Sequence, residues 1–304
     1  MEDLRKGGLP AMTRNPARRP RPTDHERPHI PTLGSACLQI RSALGISRAT
    51  AYLRHGVSTT YLADIERGRV MPSLEVLEQL ITGYRCDPHQ ARYLRELRAP
   101  AVDLDPPEKL RQLVIDDTEL MAQLADLTDR GILAAYVDPL WNILACNNGF
   151  RAALPRIETT NCIPTWLFTP AARKVLVEWE AETARAIATT KPVLARYRDS
   201  IQVRDIMRRL APNRDFQRFW APTVEVIYGR PVTDLLHISD PNTGTLISLH
   251  LVIAEPGQPY NIQLLIATPR PYAGPPDHKT ILDTPTRHTG NDPEQQSPSR
   301  DRHR

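Results

Sequence analysis

Between residues 32 and 99 the apolar positions come in short groups at helical spacing, each fenced by a glycine or a residue that caps helices. Gly45 closes a first group, Ser47 can cap a second, Gly56 breaks the chain, Ser58 can cap a third, and Gly68 ends it. Pro72-Ser73 then precedes Leu74, Leu77, Leu80 and Ile81, and Asp87-Pro88 opens a last helix with Tyr93, Leu94 and Leu97 on one face. The pattern predicts an all-α segment with connections of a few residues.

Beyond the segment "RAPAVDLDPPEK" the pattern changes. "LRQLVIDDTELMAQLADL" reads as amphipathic helix, and "GILAAYVDPLWNILACNNGF" alternates, turns at Asp138-Pro139 and alternates again, as a hairpin does. Residues 170–218 read as mostly helical, with Trp179, Ile187, Ile206, Met207 and Leu210 as core. "TVEVIYG", "TDLLHIS" and "TLISLHLVIAEPG" read as strands between turns. Strands outside and helices between predict an α+β domain with one antiparallel sheet.

Five expected segments follow: a Pro/Arg-rich basic arm (1–31, disordered), an all-α domain (32–99), a linker (100–107), an α+β domain (108–270) and a polar, disordered tail (271–304). Composition adds one asymmetry. Residues 1–31 carry 7 Lys/Arg against 4 Asp/Glu and residues 32–99 carry 9 against 6, whereas residues 100–278 carry 18 against 21. The basic excess sits in the N-terminal third, which favours an anionic partner there.

Three short helices with a glycine turn before the third form a helix-turn-helix pattern, whose third helix lies in the major groove. With Ser58 as cap, Val57, Leu62 and Ile65 face inward, and Thr59, Thr60 and Asp64 share the outer face. The hydroxyls can bond base edges or phosphates and the carboxylate can accept from cytosine. Arg67 and Arg69 stand where phosphates would pass. On spacing alone, the same helices also suit a bundle that touches no DNA.

The stretch "IRSALGISRATAYLRHGVSTTYLADIERGRVMPSLEVLEQL" resembles the XRE-type helix-turn-helix of bacterial and phage repressors, through "LGIS", "GVS", "IERGR" and "PSLEVLEQL". The resemblance implies a lambda-repressor-like fold with base contacts from Ser58, Thr59, Thr60 and Asp64. It further implies a backbone contact from Arg48 and an Arg41–Glu66 pair that locks helices together. This chain departs from the family in helix 2, with Ala51-Tyr52 where a larger aliphatic precedes a small alanine, so a tyrosine at that close helix contact implies either local repacking or a slight register shift.

"LAAYVDPLWNILACNNGF", "LFTPAARKVLVEWEAETAR", "RDIMRRLAPNRDFQRFW" and "LISLHLVIAEPGQP" resemble, in order, the MmyB-like ligand-binding domain of actinobacterial regulators. That family is PAS-like, with a cavity between sheet and helices for fatty-acyl or other small apolar ligands. The implied lining is Tyr136, Trp141, Leu144, Trp166, Phe168, Trp179, Phe219 and Trp220, each of which core packing would explain as well. Arg230 stands before Pro231-Val232 where the family has a histidine.

Enzyme chemistry has little footing: the chain has no GxSxG, P-loop, GxGxxG or HExxH. His237 and His250, on separate expected strands, could meet across a sheet but lack carboxylates or thiols beside them. Four dispersed cysteines, no apolar run near 18 residues and no leader pattern point to a reducing cytoplasm without a membrane span, metal or cofactor. The expected protein is a dimeric regulator that binds double-stranded DNA and a small apolar ligand. The alternative is an interaction and dimerisation module whose helix-turn-helix no longer reads DNA.

Overall fold

A computed structural model describes residues 28–220, 224–255 and 261–275. Residues 1–27 of the expected basic arm and 276–304 of the expected tail lie outside the described residues.

Five helices come first: α1 (Leu33–Ala43), α2 (Arg48–His55), α3 (Thr59–Glu66), α4 (Leu74–Gly83) and α5 (Pro88–Arg98). Their starts are chemically set. Ser47, Ser58, Ser73 and Asp87 each accept a backbone N–H three residues on, satisfying donors that a helix start leaves open. Thr32 and Ser35 exchange such bonds in a capping box. Leu33, Ile40, Ala51, Val57, Leu62, Ile65, Leu77, Leu80 and Leu94 fill one buried cluster between the helices. The structure decides between the two alternatives for Tyr52. The side chain does not enter the helix contact but is 48% exposed, while Ala51 is fully buried. A small residue in the register one position earlier lets α2 approach its neighbours without repacking.

The second domain starts with α6 (Pro107–Asp116) and α7 (Thr118–Asp129), where the sequence pattern predicts one helix. Asp117 divides them, its carboxylate accepting from Glu119 and Leu120 N–H at 2.9 and 3.1 Å. The hairpin follows as β1 (Leu133–Val137) and β2 (Ile143–Cys146). Next come α8 (Asn148–Ala153), α9 (Ile157–Thr160), α10 (Ile163–Trp166), α11 (Pro170–Val175), α12 (Trp179–Arg196), α13 (Ile201–Leu210) and α14 (Arg214–Trp220). The chain ends in β3 (Leu236–Ser239), β4 (Leu246–Ala254) and β5 (Gln263–Pro271).

The five strands form one antiparallel sheet in the order β2-β1-β5-β4-β3. The molecule is thus an all-α helix-turn-helix unit followed by a PAS-like α+β domain. The last elements differ from the sequence pattern in three places. Residues 224–229 carry no strand, and the strand expected over 233–239 is confined to Leu236–Ser239. β5, which the pattern does not mark, lies in the middle of the sheet, paired to β1 and β4.

Both faces of the sheet are covered. Ala134, Tyr136, Leu144 and Leu264 point to α6 and α7, meeting Leu110, Val114, Leu120, Leu124 and Leu127. Leu133, Ala135, Val137, Leu249, Leu265 and Ala267 point to the opposite face, toward Phe150, Trp166, Val175 and Trp179. Strand period 2 makes that division.

Candidate functional site

Two regions of the molecule could engage partners. The first is the outer surface of α3. Thr59 and Thr60 occupy its first turn and are exposed beside the cap Ser58, while Leu62 and Ile65 hold its other face at 0% and 1% exposure. Glu66 ends the helix with its carboxylate buried. Arg41 Nε donates to its Oε1 at 2.5 Å and Arg41 Nη2 to its Oε2 at 3.1 Å. The helix is therefore fixed to α1, which is how a reading helix must be held if its first residues are to keep register with bases.

Arg48 takes part in the same lock, its Nε donating to Glu66 Oε2 at 2.8 Å. Its guanidinium is thus turned inward, and only the part left at the surface could meet a phosphate. Asp64 is not a free carboxylate either, since its Oδ1 lies 3.7 Å from Arg67 Nη1 and 3.4 Å from Arg69 Nη1. Both arginine side chains are more than half exposed. The structure therefore brings Ser58, Thr59, Thr60, Asp64, Arg67 and Arg69 onto one helix and its exit, and gives Arg48 a packing role beside them.

The second region is a cavity of about 990 Å³ between the sheet and the helices on its inner face. Trp141, Phe150, Leu154, Trp166, Leu249 and Leu265 supply apolar wall. Trp141 is presented by a tight turn. Asp138, fully buried, accepts from the Leu140 and Asn142 N–H groups at 2.8 and 3.0 Å and from the Asn142 side chain at 2.8 Å. That turn holds Trp141 at φ +66°, a left-handed conformation rare outside glycine. The Trp166 indole N–H donates to the Pro155 carbonyl at 2.9 Å, leaving its ring face for the cavity.

Of the eight expected lining residues only Trp141 and Trp166 reach this cavity. Tyr136 and Leu144 sit on the other face of the sheet, where the Tyr136 hydroxyl donates to Gln123 at 2.5 Å. Phe168 and Trp220 pack against Phe216 at ring distances of 5.4 and 5.1 Å in a separate core. Trp179 and Phe219 stack edge to face at 5.6 Å, and the Trp179 N–H donates to the Leu167 carbonyl at 2.7 Å. Of these six, Tyr136, Leu144, Trp179 and Trp220 are buried core, and Phe168 and Phe219 are partly buried against it.

The lining that sequence reasoning missed is in part apolar, with Phe150, Leu154, Leu249 and Leu265, and in part a stripe of mixed polarity. Along α12, Glu182, Arg185, Ala186, Thr189, Val193 and Arg196 recur every three or four residues on the cavity side. That stripe of helical period was the available signal, but its mixed polarity resembles a solvated face. Arg230, which stands where a histidine was expected, grips Glu182 with two bonds of 2.7 and 2.9 Å and donates to the Asp234 and Leu235 carbonyls. It closes one side of the rim.

His237 and His250 do not meet. His237 lies opposite Ser248, with Nδ1 2.8 Å from its hydroxyl, and His250 lies opposite Thr268. Among the described residues no group of three or more His, Cys, Asp or Glu side chains could hold a metal ion, all four cysteines are free, and no helix is long and apolar enough to cross a membrane.

Against models of known protein families, residues 119–278 match the MmyB-like transcription regulator ligand binding domain, and residues 38–94 match a helix-turn-helix domain. A search of curated proteins finds no match to the chain.

Proposed function

The chain belongs to the MmyB-like transcription regulators, whose ligand-binding domain spans more than half of it behind a helix-turn-helix, and from that premise we propose that it reads a specific DNA sequence under control of an apolar ligand. The sequence is read by Ser58, Thr59 and Thr60 at the start of α3, with Arg67 and Arg69 on the phosphates and Asp64 orienting them. The ligand is a small molecule with an extended apolar body, of the fatty-acyl kind, held between Trp141 and Trp166. The protein works as a homodimer on two half-sites about one helical turn apart, since one short helix covers too few bases for a genomic address. Its compartment is the cytoplasm.

The observation that carries this reading is the seating of α3. Its apolar face is locked by Leu62, Ile65 and the Arg41–Glu66 pair, while its first polar turn is left in solvent. A helix built only for packing has no need of exposed hydroxyls in a row at the end where recognition helices touch bases.

Selection of bound fragments from genomic DNA at physiological salt tests it. A defined motif should be recovered, and Thr59→Ala and Thr60→Ala should each lower affinity for it by about 1–3 kcal/mol where a base contact is lost. Arg67→Ala and Arg69→Ala should weaken all sequences alike and flatten the salt dependence. Sequence-blind binding that Thr59→Ala and Thr60→Ala leave unchanged would overturn the reading.

A further inference from the structure

The cavity is not closed by the ligand-binding domain alone. Arg92 and Glu96, which belong to α5 of the helix-turn-helix unit, are part of its wall. They are held there by a three-membered contact with Tyr228. Arg92 Nε donates to Glu96 Oε1 at 2.9 Å, the Tyr228 hydroxyl donates to Glu96 Oε2 at 2.7 Å, and the Arg92 guanidinium lies 3.9 Å above the Tyr228 ring. Tyr228 itself lines the cavity.

The backbone on either side of Tyr228 joins the two units. Val226 is 4% exposed and buried in the core cluster of the helix-turn-helix. Its carbonyl lies 3.3 Å from His89 Nδ1 of α5. One residue on, the Ile227 N–H donates to the Ala188 carbonyl of α12 at 3.0 Å, and Ile227 faces the cavity. One strap therefore has its first half in the DNA-binding unit and its second half in the cavity wall.

The rim chemistry has a direction. Arg92 is neutralised by Glu96, Arg185 by Asp234 and Arg230 by Glu182. Arg196, exposed at the rim on α12, is in no ion pair among the described residues, while Glu255, the remaining carboxylate of the lining, accepts from the Gln263 side chain at 3.3 Å. The apolar wall at Trp141, Phe150 and Trp166 suits a hydrocarbon body, and the unpaired guanidinium of Arg196 at the α5–α12 end suits an anionic head.

We propose that the ligand site is shared between the two domains, with the anionic head of an amphiphile lying between Arg196 of α12 and Arg92 of α5. This rests on reading the cavity as a ligand site, and it adds that the bound molecule touches the DNA-binding unit itself. A ligand so placed has a different affinity for docked and undocked arrangements of α5, which is the condition for any effect on DNA binding.

The test uses the full chain and dodecanoate with a diazirine beside its carboxylate. After irradiation, labelling that unmodified dodecanoate competes away should fall on residues 88–98 and 189–197. In parallel, Arg92→Ala should weaken dodecanoate binding by about fivefold, the worth of one polar contact at a partly exposed site. Arg95→Ala, one turn away and engaged with Glu78, should leave it within about twofold. Competed labelling confined to the ligand-binding domain away from α5, with Arg92→Ala neutral, would overturn the shared site and leave the ligand reading standing. Absence of any competed labelling would overturn both.

Discussion

His55 shows how one side chain can tie the reading helix to pH. It closes α2, is 7% exposed, and its Nδ1 accepts the Val57 N–H at 3.0 Å in the turn before α3. The ring packs edge-on to Tyr84 at 5.4 Å, and its Nε2 is buried without a partner among the described residues. Burial holds its pKa below the ordinary 6.5. A protonated ring would lose the Nδ1 acceptor and carry a charge away from water, so the fold favours the neutral form. The unfolded chain takes up a proton near pH 6.5 and the folded one resists it, so this stability is whole above that pH and falls as pH drops through it. Thermal unfolding followed by circular dichroism should show a midpoint that declines from pH 7 to pH 5. His55→Asn, which keeps an acceptor for Val57 N–H and removes the titration, should decline less. Parallel slopes for the two proteins would mean that His55 does not sense pH.

At the scale of elements, the contact that aims α3 is the crossing of α1 over its C-terminal end. Gly34 makes it possible, because a Cβ there would lie 2.4 Å from the Ile65 carbonyl and 2.8 Å from that of Glu66. Both are backbone atoms and cannot rotate away. Gly34→Ala should therefore push α1 off α3 at a cost of about 1–3 kcal/mol, read as a lower unfolding midpoint and weaker operator binding together. A variant with wild-type stability and affinity would show that the crossing is looser than its geometry. The helices of this half were legible because their signals are local: caps at Ser47, Ser58, Ser73 and Asp87, stops at Gly45, Gly56 and Gly68. The sheet was less so, since a strand is defined by its partners. Gln263–Pro271 hides as a central strand because Pro269 and Pro271 read as strand breakers, and both fall at its far end, opposite Leu249 and Ile247 of β4. Residues 224–229 alternate like a strand, yet their apolar side chains are divided between two domains. The cavity was the least legible. Whether Tyr136 or its neighbour Ala135 faces inward depends on strand parity, which aromatic content does not reveal, and Arg92 and Glu96 enter the wall from another domain altogether.

The whole molecule is held together where α12 meets the helix-turn-helix, and a lysine is buried in that junction. Lys191 is 3% exposed, its Nζ donates to the Trp220 carbonyl at 3.4 Å, and Ala36, Gln39, Ile40, Tyr93 and Val226 surround the small cleft beside it. Burial pulls its pKa down to about 8 from 10.5, with the Glu225 carboxylate opposing that fall. Below about pH 8 the ammonium is charged in both folded and unfolded chains, so the docked structure carries the desolvation penalty less what Trp220 and Glu225 return. Between about pH 8 and 10.5 the folded chain has released the proton while the unfolded chain keeps it, and stability rises with pH. Lys191→Met should therefore stabilise the full chain at neutral pH by up to about 3 kcal/mol, the worth of a shift of that size. Its advantage over the wild type should shrink as pH is raised from 8 to 10. Because α5 both packs on this junction and walls the cavity, the same substitution should tighten docking of the two units and reduce the change in operator affinity that ligand produces. A stability difference that stays constant across that pH range would exclude the lysine as the cause, and an unchanged ligand effect in the stabilised variant would separate docking at α12 from control of DNA binding.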